Sequence, residues 1–115
     1  MSNDPSDRAV VCLDGVAASA GHAVGRCRVV TGYTVDFQPG EILVADLTDN
    51  SFMPNIVVAA AIVTAEGNML SHAAVVAREL GLPCVVAVRE ALEVIQTGGV
   101  IEVDGTNGRV TLVSS

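Results

Sequence analysis

Of the two histidines in this 115-residue chain, His72 stands where chemistry on an anion is simplest to arrange. It follows the segment Thr64-Ala65-Glu66-Gly67-Asn68-Met69-Leu70-Ser71 and opens an apolar-periodic run that ends in Gly81-Leu82-Pro83. Ser71 is a good helix N-cap, its hydroxyl expected to accept from the amide of Ala73 or Ala74, so His72 falls at the first helical position. Free amides and the positive end of the helix dipole favour an anion such as a phosphoryl group there, and disfavour an extra proton on the ring. A neutral imidazole is a nucleophile, so phosphoryl transfer through a ring nitrogen is the chemistry this placement offers. A histidine at a helix start is also commonly a surface or satisfied core group, and the position alone leaves both readings open.

Other chemistry-bearing residues fall into simpler roles. His22 lies between Gly21 and Ala23 in a turn-like stretch and reads as exposed and non-functional. Glu66 beside the glycine loop is not assigned catalysis, because a carboxylate next to a phosphorylated imidazole would repel it. Cys12, Cys27 and Cys84 are odd in number and lack C-x-x-C spacing, so neither a disulfide framework nor a zinc site is expected, and all three read as small buried hydrophobes. Asp46, Asp49, Glu90, Glu93 and Glu102 are scattered between apolar segments as a solvated surface. No grouping of His, Cys and carboxylates is spaced like a metal site.

The elements that must hold His72 can be read from periodicity. The spacing predicts strands over 10–13, 23–30, 41–45, 84–88, 100–103 and 109–113, with a small-residue turn over 15–21. The most apolar run, 56–63, should contain a central strand buried on both faces. Thr48-Asp49-Asn50-Ser51 offers caps for a helical turn near 52–55. In the His72 helix Ala73, Val76, Ala77 and Leu80 form the core-facing stripe, with Arg78 and Glu79 off it. A short helix or turn over 90–96 precedes a hairpin whose loop is Asp104-Gly105-Thr106-Asn107-Gly108. Residues 1–8 read as a disordered polar tail and 9–115 as one domain.

Composition narrows the function. Half the residues are apolar but only 3% are aromatic, which suggests an α/β fold of thin, closely packed layers. The net charge of −7 argues against nucleic acid, which needs a basic stripe. There is no lysine and no G-x-x-x-x-G-K-[ST] string, so a nucleotide site of the usual kind is not expected. No apolar run is long enough to span a membrane, the first residues carry no signal-peptide core, and a cytoplasmic location is expected.

The stretch from Thr64 through Ser71-His72-Ala73-Ala74-Val75-Val76-Ala77-Arg78-Glu79-Leu80-Gly81-Leu82-Pro83 resembles the mobile, phosphohistidine-carrying domain of phosphoenolpyruvate-utilising enzymes. Gly25-Arg26, Pro39-Gly40-Glu41-Ile42-Leu43-Val44, Thr48 and Val103-Asp104-Gly105 add weaker support, and the resemblance covers roughly residues 13 to 113. It implies a swivelling β/β/α domain whose histidine takes a phosphoryl group at one active site and delivers it at another. His72 would be the phosphorylated residue. Thr64 and Ser71 would hydrogen-bond the ring or the phosphoryl oxygens, Gly67 would let the loop backbone approach, and Arg78 would add positive charge or tie the helix to a neighbour. Capping alone would explain Ser71, and Arg78 could instead be a solvated residue paired with Glu79 or another acid.

Where the family commonly has two glycines this chain has Gly67-Asn68, and Asn tolerates positive φ better than most residues. The resemblance also implies partners that a domain of this size does not contain: an ATP-grasp nucleotide-binding unit and a phosphoenolpyruvate- or pyruvate-binding unit, as separate proteins or domains. Mg²⁺ is expected in those partner sites and no cofactor in this domain. The expected activity is therefore that of a phosphotransferase component that needs partners. A non-catalytic binding or regulatory module keeping the same fold is the alternative, and a fragment of a larger dikinase-like enzyme is a third reading, although Met1 and the polar lead-in favour a natural start.

Overall fold

A computed structural model of the chain describes residues 11–113. The expected tail over 1–8 and the first residue of the strand expected over 10–13 lie outside these residues.

Among the described residues, eight strands and three short helices build a mixed α/β fold: β1 Val11–Asp14, β2 Val16–Ser19, β3 His22–Val29, β4 Ile42–Ala45, α1 Met53–Ile56, β5 Ala61–Thr64, α2 His72–Leu80, β6 Cys84–Val86, α3 Ala91–Val94, β7 Val100–Asp104 and β8 Arg109–Leu112. The strand order is β1-β8-β7-β3-β4-β5-β6-β2. The β1-β8-β7-β3 part is antiparallel, whereas β3, β4, β5 and β6 run parallel, with β2 antiparallel at the far edge.

Alternation along the parallel strands explains the layering. In β4, Ile42 and Val44 enter one core while Leu43 and Ala45 enter the other; β5 divides Ala61 and Val63 from Ile62, and β6 divides Val85 from Cys84 and Val86. Successive side chains of a strand face opposite sides, so a strand apolar at every position must be covered on both. The first core is completed by Leu13, Cys27, Ile101, Val103 and Val110 from the antiparallel part, the second by Phe52 and Ile56 around α1 and by Ala73, Ala74 and Ala77 of α2. Two strand layers and a helical layer result, the β/β/α arrangement that the resemblance implied.

Several local expectations change. Residues 16–19, expected in a turn, form β2, because their pairing with β6 supplies the hydrogen bonds that small residues do not announce in sequence. Within the apolar run 56–63 the strand begins only at Ala61; Ile56 closes α1 and Val57 and Val58 are exposed. The buried face of α2 is Ala73, Ala74 and Ala77, while Leu80 is half exposed, since alanines let the helix lie close to the sheet. Cys12 is exposed on β1, not buried, with its thiol beside the Thr111 hydroxyl. His22 is exposed as expected but belongs to β3, and its Nε2 meets the Glu102 carboxylate on the paired strand β7.

Ala87, just after β6, has φ +58, a left-handed conformation that costs an L-residue about 1–2 kcal/mol. Ala87→Gly is expected to raise stability by roughly 0.5–1 kcal/mol after the added unfolded-chain entropy is deducted, read as a higher urea midpoint. Glu41, at the start of β4, receives the Arg28 guanidinium at 2.8 and 3.2 Å and the Gln38 amide at 2.7 Å. The hydrogen-bonded guanidinium holds its carboxyl below the ordinary value of 4.5. A group whose folded value is depressed contributes stability that is complete above its unfolded value and lost as pH falls through the folded one. Glu41→Gln should therefore cost about 1 kcal/mol in urea unfolding near neutrality, and the cost should shrink as pH falls below the ordinary carboxylate value.

Candidate functional site

Parallel neighbours β4 and β5 end together, with Ala45 opposite Thr64, so the loops that leave them meet at one rim of the sheet. The carboxyl ends of parallel strands are where open α/β folds gather functional groups. The loop after β5 turns through Gly67 into α2 and sets His72 at its first position; the loop after β4 carries Leu47, Thr48 and Asp49 into a 3-10 turn, Asn50–Phe52. The two loops hold the imidazole between them.

Thr48 Oγ1 lies 2.8 Å from His72 Nδ1 in a partly buried contact, and Asn50 Oδ1 lies 3.1 Å from Nε2 in an exposed one. The ring is thus held at both nitrogens, the inner contact partly buried and the outer one at the exposed surface. Asp49 caps the 3-10 turn by accepting from the Ser51 amide at 2.8 Å and from the Ser51 hydroxyl. Those Ser51 hydrogen bonds hold the Asp49 carboxyl below its usual range. Neither Thr48 nor Asn50 was picked out from sequence as a ring partner. They lie 24 and 22 residues before His72, and the signal that could have found them is their place just after a strand parallel to β5.

Of the residues expected around His72, neither Thr64 nor Ser71 hydrogen-bonds the ring. Thr64 is 1% exposed and donates its hydroxyl to the Glu66 carbonyl at 2.6 Å, away from the ring. Ser71 is the N-cap residue of α2, yet its side chain does not cap the helix: the hydroxyl donates to the Asn68 carbonyl at 2.8 Å and receives the Asn68 amide at 3.4 Å. The expectation of a bond from Ala73 or Ala74 is corrected, because the tight loop claims the hydroxyl first. The opening amides of α2 are left without a side-chain acceptor, as an anion site requires.

Gly67 has φ +125, and a Cβ there would come within 2.9 Å of Ser71 Oγ, so only glycine fits the pinch between Thr64 and Ser71. Asn68, by contrast, does not adopt positive φ. Its side chain accepts from the Leu70 amide at 2.8 Å and closes the loop on itself. Arg78 donates to the Ala18 carbonyl at 3.0 Å and the Met69 carbonyl at 2.6 Å. It ties α2 to β2 and to the loop, and forms no salt bridge among the described residues, with Glu79 or any other acid.

Around this centre the surface is apolar and acidic. Leu70 is 85% exposed and Leu47 49%, and with exposed Met69, Asp46, Asp49 and Glu66 they belong to the two loops that hold the ring. A cleft of about 600 Å³ beside Gly67 has Asp46, Glu66 and Glu93 against the single cation Arg89. Beneath α2, burial pushes the Cys84 thiol up to about 12, which keeps it protonated and unreactive. No group of three or more potential metal ligands occurs among the described residues, and none of their helices is long and apolar enough to cross a membrane.

Residues 37–108 match the family model described as PEP-utilising enzyme, mobile domain. The chain is 45% identical over 106 residues to a phosphoenolpyruvate synthase of Pyrococcus furiosus, covering 90% of this chain and 13% of that protein. It spans 12% of the length of an uncharacterised protein of Mycobacterium tuberculosis with which it shares 47% identity over 102 residues. Among solved structures, aconitase X of Thermococcus kodakaraensis superposes with a TM-score of 0.69 at 21% identity, covering 90% of this chain and 99% of that one. An Enzyme I structure superposes at 0.60 and 24% identity, covering 70% of this chain and 33% of that one. At such identities the two structures show a shared fold.

Proposed function

The chain belongs to the mobile-domain family of PEP-utilising enzymes, and from that premise we propose that it is a phosphoryl carrier whose His72 is transiently phosphorylated on Nε2. One observation carries the reading: the imidazole is held through Nδ1 by Thr48 in a partly buried contact, while Nε2 lies on the exposed side and meets only the side chain of Asn50. With its proton on Nδ1 and donated to Thr48 Oγ1, the ring presents a lone pair at Nε2. That lone pair forms the N–P bond as the bond from phosphorus to the donor's leaving group breaks, and the leaving group departs with the electron pair. Delivery to an acceptor reverses the step.

The free amides opening α2 stabilise the added charge, which is the contribution phosphoryl transfer needs most. Arg78 does not supply it, since its guanidinium is engaged by carbonyls. Compensating cations, Mg²⁺ included, belong to partner sites that bind a nucleotide or phosphoenolpyruvate. The exposed Leu47, Met69 and Leu70 with their acidic surround suit docking into an apolar socket with a basic rim.

Incubation with phosphoramidate, a small phosphoryl donor, is expected to give an acid-labile, alkali-stable phosphoprotein with the label on the peptide containing His72. Label on the His22 peptide, or none, would overturn the carrier reading. A binding-only module remains a second reading because the same fold occurs in a protein named as an aconitase, so fold alone does not confer phosphoryl transfer. It predicts no label.

A further inference from the structure

We propose that Asn50 is a two-position gate on the reacting nitrogen, capping Nε2 in the resting protein and donating to the phosphoryl group once it is bound. The inference rests on the carrier reading of His72 and adds a residue to it. As placed, Asn50 Oδ1 lies 3.1 Å from Nε2. An amide oxygen only accepts, so this contact requires the proton on Nε2, and Nδ1 then accepts from the Thr48 hydroxyl at 2.8 Å. That tautomer has no lone pair at Nε2 and does not attack phosphorus.

Turning the carboxamide end for end presents Nδ2 in place of Oδ1. The contact then requires a lone pair on Nε2, the ring proton moves to Nδ1, and the Thr48 hydroxyl changes from donor to acceptor. Both partners of the ring are ambivalent groups, so the site satisfies either tautomer, and the orientation of Asn50 selects between them.

The backbone under Asn50 is fixed and its side chain is not. Asn50 opens the 3-10 turn that Asp49 caps, and its carbonyl receives the Met53 amide. The side chain is exposed and makes no other hydrogen bond among the described residues. As the N–P bond forms, phosphorus takes the position on the Nε2 lone-pair axis that the amide held, and Nδ2 is left within reach of a phosphoryl oxygen. With phosphoramidate as donor, the lone pair of Nε2 forms the N–P bond, the P–N bond to the protonated amine breaks, ammonia leaves with the electron pair, and Nδ1 keeps its proton on Thr48.

Two variants separate the two functions of the amide. Asn50→Asp can accept but not donate, and adds negative charge beside the incoming group; its labelling of His72 by phosphoramidate is expected to be at least about tenfold slower than that of the parent chain. Asn50→Ala removes the cap and the donor together; it is expected to take up label at least as fast as the parent and to lose it roughly three- to tenfold faster. The ¹⁵N shifts of the His72 ring give a readout that a merely structural role would not move: the parent should show the proton mainly on Nε2, and Asn50→Asp should lock it there. Parental rates of uptake in Asn50→Asp, or of loss in Asn50→Ala, overturn the gate while leaving the carrier reading intact. Absence of label on His72 in the parent overturns both.

Discussion

His72→Ala is expected to reduce acid-labile phosphate on the chain by at least about a thousandfold, to background, without unfolding it. The magnitude follows from the chemistry: removing the nucleophile removes the covalent route, and a thousandfold corresponds to about 4 kcal/mol of barrier. His22 is a poor substitute, because its Nε2 is turned onto the Glu102 carboxylate, whose charge repels an incoming phosphoryl group. Folding should survive. The ring is only partly buried, at the start of α2, and its two hydrogen bonds go to side chains of a surface loop, so their loss costs about 1–2 kcal/mol. Circular dichroism and a urea titration check the fold, and phosphate release at low pH checks the chemistry. Normal labelling of the folded variant would remove His72 from the mechanism.

The largest effect on stability is expected from Gly105→Ala, in the loop joining β7 and β8. An added Cβ would overlap the Ser19 carbonyl oxygen and lie 2.9 Å from the Cys84 amide nitrogen. Here the antiparallel hairpin touches the far edge of the sheet, and the contact is held by the Gly105 amide donating to the Gly21 carbonyl at 2.8 Å. Backbone atoms on both sides leave no flexible side chain to give way, so a single methyl must part the two strand layers. A loss of roughly 3 kcal/mol or more is expected, enough to remove much of the stability of a domain this size. Gly32→Ala is the control: a Cβ there meets nothing within 4 Å, and the change should stay within about 0.5 kcal/mol. Equal urea midpoints for the two variants would refute this account of how the layers are joined.

The features that sequence made legible are continuous ones. The α2 segment declares itself by a helical repeat between a loop and a Gly-Leu-Pro stop, and β5 by the most apolar run of the chain, so its burial on both faces followed. What escaped is what only tertiary pairing creates. β2 is four small residues whose strand character comes from β6 alongside. Thr48 and Asn50 act on His72 only because β4 and β5 run parallel and finish level, a relation that no spacing along the chain records. Ser71 carries a good capping signature, but its hydroxyl oxygen accepts from the Asn68 amide instead, so local and helix amides compete for one acceptor.

In the register of β1 against β8, Val11 faces Leu112. Opposed residues of antiparallel strands are only about 5 Å apart, so the two ends of the described fold leave it side by side. A unit with that property can be spliced into a surface loop of an unrelated host without stretching either junction. Grafted in this way, the domain would be held at a single corner, with the imidazole at the end of a lever whose sweep is set by the length of two short tethers.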